Sequence, residues 1–270
     1  MDAAEIMRIA ATSYWVPPDS EHVVRDGFTV VRYDNGFQYD TGVYEIDSAR
    51  PAADLFAEVT SLARSWGRPA TYWNGLNEHI RPASLIDVLL AHGGEEVERL
   101  AILALDLNDR TDLAVPADVT VEVPLDRAGC EASARVAAEG FERDVTPVTD
   151  AEIAAHRRTV ETGSGISFVA HVDGRPAATG GTTYVADGRA AKLWGGASTI
   201  RDRGRGAYRA VLEARLRAAQ ERGCEVAIVG GRVGTSAPIL RRAGFRSYGE
   251  EFMLRVPVGP AYPADDRHLG

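Results

Sequence analysis

The chain has 270 residues, of which 45% are hydrophobic and 26% charged, and its formal net charge is −9. This length is comfortable for two domains, and the acidic balance argues against a general affinity for nucleic acids or anionic membranes. No apolar run approaches the roughly 20 residues of a membrane-spanning helix. The first residues include an acid at position 2 and no long apolar core, which is untypical of a secretory signal, so we expect a cytoplasmic protein.

The two cysteines, Cys130 and Cys224, are far apart in the sequence, and no Cys-x-x-Cys or His-x-x-x-His spacing occurs. Two thiols alone cannot form a zinc site, so we expect no metal. Both cysteines are predicted to be reduced residues of the core, because free cysteine is usually buried.

The first 115 residues contain a partial echo of the C-terminal part. Segment 63–75, ARSWGRPATYWNG, aligns with AAQERGCEVAIVGG so that Gly67 meets Gly223 and Gly75 meets Gly231, both 156 residues further on. The next segment repeats the order helix, glycine, acidic segment, strand. A duplicated unit explains this pattern, and the general likeness of any two α/β segments is the alternative.

A polar tract, DLNDRTDLAVPAD, follows the echo and contains a proline. We place the domain boundary there, which predicts one domain over residues 1–115 and a second over 116–258. The remaining segment, 259–270, is rich in proline and glycine and is expected to be a flexible tail.

Residues 116–258 predict the element order β-α-α-β-β-β-α-β-α-β. The second helix opens with a Thr-x-x-Glu capping box, and the three central strands are separated by turns at Asp173-Gly174 and Asp187-Gly188. The third helix follows Gly206 and ends at Gly223, and a short fourth helix has Thr235 or Ser236 as its cap.

The stretch from Ala197 to Leu212 joins a basic, glycine-containing turn to an apolar-periodic helix. The first N–H groups of a helix have no partner within it, and the helix dipole places partial positive charge there. Glycines let the backbone approach a phosphate closely, and arginines donate charge-assisted hydrogen bonds. We therefore predict that a phosphorylated ligand binds at residues Arg203 to Tyr208.

Two common phosphate-binding motifs do not fit this turn. A P-loop requires Gly-Lys-Ser/Thr, whereas Gly206 is followed by Ala207 and Tyr208. A dinucleotide-binding turn requires Gly-x-Gly-x-x-Gly, but Arg209 stands at the third glycine, and no acidic residue follows a second strand at the expected distance.

The segment RGRGAYRAVL resembles the pyrophosphate loop of the GCN5-related N-acetyltransferases (GNAT family), whose motif is Gln/Arg-x-x-Gly-x-Gly/Ala before a helix. A register that begins at Arg203 departs from the motif at Tyr208, and it places Val211 and Leu212 where the family's helix has its apolar pair. A register that begins at Arg201 also matches the residue types of the motif, with Gly204 and Gly206 as its glycines. In the preferred register, Tyr208 either keeps the backbone away from the phosphate or packs on the cofactor.

The element order after residue 116 is also the GNAT order, so the resemblance implies an α/β fold with a mixed central sheet flanked by helices. Residues 28–107 resemble the family weakly. The position equivalent to Gly204 is Ser48 there, and no glycine-rich turn is present. The resemblance thus implies two GNAT-like domains, of which the C-terminal one is complete and the N-terminal one is degenerate and lacks a cofactor site.

The resemblance further implies acetyl-CoA as the cofactor. Strands LWGGAST and CEVAIVGG are expected to diverge and admit the pantetheine arm, and Gly195 and Gly196 suit a bulge, with plain strand distortion as the alternative. Backbone N–H groups near Ala197 to Thr199 would polarise the thioester carbonyl. The expected cofactor contacts are Ala197, Ser198, Thr199, Arg203, Gly204, Arg205, Gly206, Ala207, Tyr208 and Ser236.

The residues that would move protons are not specified by the pattern. In the family, a Tyr in the fourth helix often protonates the departing thiolate, and its position is Leu240 here. Each candidate for a catalytic or acceptor-site role also has a purely structural interpretation as a packed or solvated side chain. The candidates are His171, Glu139, Glu142, Tyr248 and Trp194.

The function implied is that of an N-acetyltransferase that moves an acetyl group from acetyl-CoA directly to the amine of a small molecule. The net negative charge weakly favours a cationic acceptor. The alternative is a non-catalytic acyl-CoA-binding or regulatory protein, motivated by Leu240 and Tyr208. The sequence specifies neither the acceptor, nor the acyl chain length, nor whether the protein is a monomer or a homodimer.

Overall fold

The computed structural model describes residues 1–12, 14, 16, 20–34 and 39–259. The chain divides into a large unit, Met1–Pro18 with Leu100–Glu250, and a small unit, Asp19–Arg99 with Glu251–Gly270. It passes between the units within two strands, β5 (Glu95–Asp106) and β11 (Arg246–Pro257). Apart from residue 259, the predicted tail lies outside the described residues.

This division differs from the boundary predicted near residue 115. Residues Leu100–Asp106 of β5 pair antiparallel with β10 (Val226–Arg232), and this hydrogen-bonded ladder places them in the large unit. At the other end of the chain, Phe252–Pro257 of β11 pair antiparallel with β4 (Ala70–Leu76) in the small unit. Sequence periodicity marks strands, but it does not say which partner each strand takes.

The small unit has the strand order β1-β2-β3-β4-β11, antiparallel except for the β3–β4 pair. Its core is centred on the fully buried Trp73, Leu55 and Leu85. The turn that aligns with the basic glycine turn has Ser48, whose Oγ accepts a hydrogen bond from the N–H of Arg50 at 3.2 Å. Besides β4 and the adjoining parts of β5 and β11, the described elements are β1 (Glu21–Arg25), β2 (Phe28–Arg32), β3 (Thr41–Tyr44), α2 (Ala52–Ser65) and α3 (Leu85–Ala91).

The large unit confirms the element order predicted after residue 116. Its strand order is β5-β10-β9-β8-β7-β6, and within it the β9–β10 pair alone is parallel. Besides β10 and the parts of β5 and β11, its described elements are α1 (Ala3–Thr12), β6 (Val119–Glu122), α4 (Arg127–Gly140), α5 (Asp150–Glu161), β7 (Gly165–Val172), β8 (Arg175–Val185), β9 (Ala190–Ser198), α6 (Ala207–Glu221) and α7 (Ser236–Arg242).

Local signals in this unit behave as expected. Asp173 and Gly174 form the two-residue β7–β8 loop with φ of 51° and 72°, as a type I′ turn requires. The capping box at the start of α5 is present, with the hydroxyl of Thr149 accepting from the N–H of Glu152 at 3.2 Å. Cys224 is buried and Cys130 is half-buried; burial raises the pKa of both thiols.

Helix α1 is an element that the sequence analysis did not assign. Its apolar residues Ile6, Ile9 and Ala10 recur at helical spacing and pack against Ile102 and Ile228 of β5 and β10. Its C-terminal end is fixed to β9 by the Lys192 ammonium, which donates to the carbonyl of Ala10 at 2.5 Å.

In the described part of the chain, no helix is long and apolar enough to cross a membrane. The same residues contain no group of three or more His, Cys, Asp or Glu side chains arranged to hold a metal ion.

Candidate functional site

A gap opens between the parallel strands β9 and β10. They pair from Ala190 with Val226 as far as Leu193 with Val229, and the pairing ends there although both strands continue. On the other side, Trp194, Ala197 and Ser198 of β9 stay paired with β8. The divergence expected between these strands is therefore present, and it begins at Trp194.

A bulge in β9 accompanies the divergence. The register with β8 shifts between Thr179 and Gly181, and Gly195 has a φ of 61°, which favours glycine. Gly196 is also confined, because a Cβ there would lie 3.1 Å from a ring carbon of Tyr208. The bulge expected at Gly195 and Gly196 is thus confirmed, and it lies where β9 leaves β10.

A buried carboxylate organises the basic turn that follows β9. Asp202 is 1% exposed and accepts from the hydroxyl of Thr199 at 3.0 Å and from Arg205 at 3.3 Å. Burial raises the pKa of Asp202, but the hydrogen bond from Thr199 and the charge of Arg201 outweigh this effect and lower it overall. Asp202 therefore stays ionised and holds the turn together from beneath.

The start of α6 presents backbone donors without acceptors. Gly206 is the N-cap with a φ of 87°, and the next hydrogen bond of the helix runs from the N–H of Ala210 to the carbonyl of Gly206 at 2.9 Å. Within the described residues, no acceptor is found for the N–H groups of Gly204, Gly206, Ala207, Tyr208 and Arg209. Such a set of orphan donors at a helix N-terminus is suited to an anion.

The two arginines predicted to assist this site differ in availability. Arg205 donates to Asp173 at 2.9 Å as well as to Asp202, so its guanidinium is largely committed to the turn. The side chain of Arg203 is exposed and has no ion-pair or hydrogen-bond partner among the described residues. Arg203 is therefore the cation of the predicted loop that is available to a ligand.

Other residues that were expected to contact the cofactor already make hydrogen bonds within the chain. The N–H of Thr199 donates to the carbonyl of Ala177 at 2.9 Å, and its hydroxyl is bound to Asp202. Because successive amides of a strand point to opposite sides, the N–H of Ser198 faces away from β8. The hydroxyl of Ser236 accepts from the N–H of Arg232 at 2.9 Å and does not cap α7.

Tyr208 turns inward from the start of α6. Its ring is half-buried against the core cluster under β9 and β10, and its hydroxyl oxygen would lie 3.3 Å from a Cβ on Gly196. The departure from the family's loop motif therefore places a phenol beneath the bulge. Leu240, by contrast, is 1% exposed and packs in the same cluster, so it contributes only apolar surface.

The candidate proton-transfer residues do not converge on the gap. His171 lies at the β6–β7 edge, with Nε2 3.7 Å from a carboxylate oxygen of Glu122. Glu139 accepts from the N–H of Ile200 at 2.8 Å and so fixes the end of α4 to the basic turn. Tyr248 packs against the apolar cluster beneath α1.

Two aromatic residues lie on the α4 side of the sheet near the gap. Trp194 is 50% exposed, donates to the hydroxyl of Thr183 at 3.0 Å and covers Gly181. Phe141, the C-cap of α4, lies 5.7 Å from the guanidinium of Arg232 at the end of β10. Glu142, next to Phe141, is exposed with a φ of 54°. Trp194 therefore presents exposed aromatic surface, whereas the guanidiniums of Arg143 and Arg232 both lie 5.7 Å from the ring of Phe141.

Sequence reasoning missed two buried charged residues, Asp202 and Arg215. Asp202 is the single acid in a basic turn, and Arg215 stands four residues after Val211, on the apolar stripe of α6. Both interrupt a local pattern, which is the signal that could have identified them. Arg215 is 2% exposed, and its side chain extends from α6 to the bulge in β9.

No protein-family model matches this sequence, and no curated protein matches it either. Solved structures do resemble it. A GCN5-related N-acetyltransferase from Kribbella flavida has a TM-score of 0.66 at 20% identity, over 94% of this chain and 93% of that one. A tandem GNAT protein from the clavulanic acid biosynthesis pathway has a TM-score of 0.60 at 17% identity, over 95% of this chain and 89% of that one.

A third structure, a GCN5-related N-acetyltransferase from Sphaerobacter thermophilus, has a TM-score of 0.59 at 17% identity, over 89% of this chain and 83% of that one. At these identities the likeness is one of fold. The chain has the GNAT fold over about nine-tenths of its length, as the basic turn and the element order predicted.

Proposed function

We propose that this protein is an acetyl-CoA-dependent N-acetyltransferase that moves an acetyl group directly to the amine of a small molecule. The observation that carries the proposal is the gap between β9 and β10, which opens beside the orphan N–H donors at the start of α6. A thioester on a long, thin arm with a pyrophosphate at its far end fits this arrangement. The fold shared with the three structures above supports it.

The residues of the chain have distinct roles in this proposal. The orphan N–H groups named above and the side chain of Arg203 hold the pyrophosphate. Acetyl-CoA supplies the acetyl group as a thioester. The N–H of Ser198 lies at the end of the β9 edge left free by β10, where a donor polarises a carbonyl.

The acceptor amine is proposed to approach from the α4 side, where Trp194 offers exposed aromatic surface. Trp194 covers Gly181, whereas Gly180 faces α6, and neighbouring residues of a strand point to opposite faces. The acceptor and the start of α6 are thus on opposite sides of the sheet. Of the candidates named above, none is placed at the gap as a base, so the amine proton is expected to leave through water.

Arg203→Ala tests the cofactor part of the proposal. Its side chain is exposed and has no hydrogen-bond or ion-pair partner in the described part of the chain, so the melting temperature of the free protein should not change. The affinity for acetyl-CoA should fall by roughly 10- to 100-fold, because a charge-assisted hydrogen bond contributes about 1.5–3 kcal/mol. Isothermal titration calorimetry measures the affinity.

Arg241→Ala is the matched control, since Arg241 is exposed on α7 and remote from the turn in sequence. It should leave the affinity unchanged. Equal loss in both variants would show a general charge effect, and an unchanged affinity in Arg203→Ala would remove Arg203 from the site.

Release of CoA thiol in the presence of an amine panel tests catalysis. The alternative function, a non-catalytic acyl-CoA-binding protein, is favoured by Leu240 and by the engagement of Glu139 and His171 in structural contacts. Saturable acetyl-CoA binding with no acetylated product on any amine, checked by mass spectrometry, would support that alternative.

A further inference from the structure

Arg215 is a buried charge without a countercharge. It is 2% exposed in the middle of α6, and no carboxylate lies within ion-pair distance of it among the described residues. Burial lowers the pKa of its guanidinium, and a side-chain hydrogen bond with Tyr208 opposes that shift. Burying an unpaired charge is costly, so such a residue calls for a compensating partner.

The chain compensates a neighbouring charge in the usual way. Glu213, on the same helix, is 5% exposed and accepts hydrogen bonds from Arg110 at 2.8 Å and Arg217 at 2.9 Å. Arg215 instead donates to two backbone carbonyls, those of Trp194 and Val211, each at 3.4 Å. The carboxylate of Glu213 is thus occupied by other arginines. Within the described chain, the charge of Arg215 is left without a countercharge.

The position of this charge is specific. A Cβ on Gly180 would lie 2.9 Å from a guanidinium nitrogen of Arg215, and a Cβ on Gly196 would lie 3.4 Å from another. Glycines on β8 and β9 therefore make room for the guanidinium, and the hydroxyl of Tyr208 lies beside it. Trp194, whose carbonyl it contacts, is the first residue of β9 beyond the pairing with β10. The charge borders the gap.

Acyl transfer from a thioester creates negative charge at that place. The amine nitrogen forms a bond to the carbonyl carbon, the carbon–sulfur bond breaks, and its electron pair leaves on sulfur as a thiolate, while the amine proton passes to water. A thiolate in a dry gap is stabilised by a nearby cation and a hydrogen-bond donor.

We propose that the buried guanidinium of Arg215, together with the hydroxyl of Tyr208, stabilises the negative charge of a sulfur atom bound in the gap between β9 and β10. This inference rests on the proposed function, because it requires CoA to occupy the gap. It gives Tyr208 a role other than a phosphate contact. It also explains why two strands carry glycine where the guanidinium lies.

The test is a pH titration of CoA bound to the wild-type protein, with the ultraviolet absorbance of the thiolate as the readout. The thiol of bound CoA should have a pKa about one unit or more below that of free CoA in the same buffer. Arg215→Met should abolish this shift, and Tyr208→Phe should reduce it. Arg217→Met, which removes an exposed charge from the same helix, should keep it.

Thermal unfolding of the free variants separates this role from a structural one. Replacing an unpaired buried charge by an apolar side chain of similar length should leave the melting temperature of Arg215→Met unchanged or higher. A large fall in its melting temperature would mark Arg215 as a structural residue and would overturn the proposal.

The wild-type titration decides the matter even if Arg215→Met does not fold. A bound thiol that titrates like free CoA overturns the proposal, as does a shift that survives in Tyr208→Phe at full size. Both results would leave the proposed function standing. A wild-type protein that binds no CoA in calorimetry would overturn the proposed function and this inference together.

Discussion

At the scale of single residues, buried charges define the candidate site more than exposed ones do. Asp202 holds the basic turn from beneath, and Arg215 lies under the bulge of β9. The exposed arginines of the turn differ only in whether they are already committed: Arg205 is bound to Asp173 and Asp202, and Arg203 is available. The type of residue alone does not distinguish these roles, because Asp202 and the three arginines are all charged.

The lowered pKa of Asp202 gives its contribution to stability a defined pH dependence. The folded pKa is below the ordinary value of 3.8, so the contribution is complete above that value and is lost as the pH falls through the folded pKa. Asp202→Asn should therefore be less stable than wild type at neutral pH, and the difference should shrink in strong acid. Urea unfolding followed at a series of pH values measures both.

Asp187→Asn provides the control, because Asp187 is an exposed residue of the β8–β9 turn and carries the same change of charge. It should follow the wild-type acid profile. If the difference in unfolding free energy between Asp202→Asn and wild type stayed constant down to strong acid, the carboxylate charge would not be what stabilises the turn.

At the scale of elements, α6 contacts several separate parts of the large unit. Its N-terminus presents the orphan donors, its apolar faces form two core clusters, and Glu213 binds the segment that precedes β6. That segment contains Arg110, whose side chain is 1% exposed, and Leu113, whose N–H donates to Glu213 at 2.9 Å. The polar tract in which the domain boundary was predicted is thus bound to α6 of the large unit.

Glu213→Ala should destabilise the protein by about 3–5 kcal/mol, because it removes the buried carboxylate that pairs with the buried guanidinium of Arg110. Burial alone would raise the pKa of Glu213, but the hydrogen bonds from Arg110 and Leu113 lower it overall, so the carboxylate is ionised at neutral pH. Chemical denaturation measures the loss. Glu221→Ala, at the exposed end of the same helix, should cost far less, and equal costs would contradict the role of the buried pair.

At the scale of the whole molecule, neither unit is a continuous segment. The small unit needs Phe252–Pro257 to pair with β4, and Leu254 and Val256 from that strand are buried in its core. The large unit needs α1 and the second half of β5. A boundary drawn at one point of the sequence cannot describe this exchange.

Truncation after Glu250 should therefore unfold the small unit selectively. It removes the part of β11 that pairs with β4, and with it the buried side chains of Leu254 and Val256, which contribute roughly 1.5–3 kcal/mol each. In hydrogen exchange, the amides of β2 to β4 should lose protection while those of β7 to β9 keep it. Truncation after residue 259 should leave the protection of both sets of strands unchanged. If β2 to β4 kept their protection after truncation at Glu250, this account would be refuted.

The sequence predicted much of the fold, and particular residues show why. The turn at Asp173-Gly174 and the capping box at Thr149 are signals read over two to four residues, and both are present. Helix α1 was not predicted; its apolar residues Ile6, Ile9 and Ala10 have helical spacing, and this spacing is the signal that could have identified it. The candidate site was found through Arg203 and Gly206, since glycine and arginine at a helix start have a local physical meaning.

What the sequence determined by itself is thus the local structure: the order of elements, the basic turn and the family that it resembles. The tertiary structure alone decided which strands pair, that β9 parts from β10 at Trp194, and that Arg215 lies beneath the bulge. The physical reason is that periodicity and turn chemistry act between near neighbours, whereas pairing, burial and the environment of a charge depend on residues far apart in the chain.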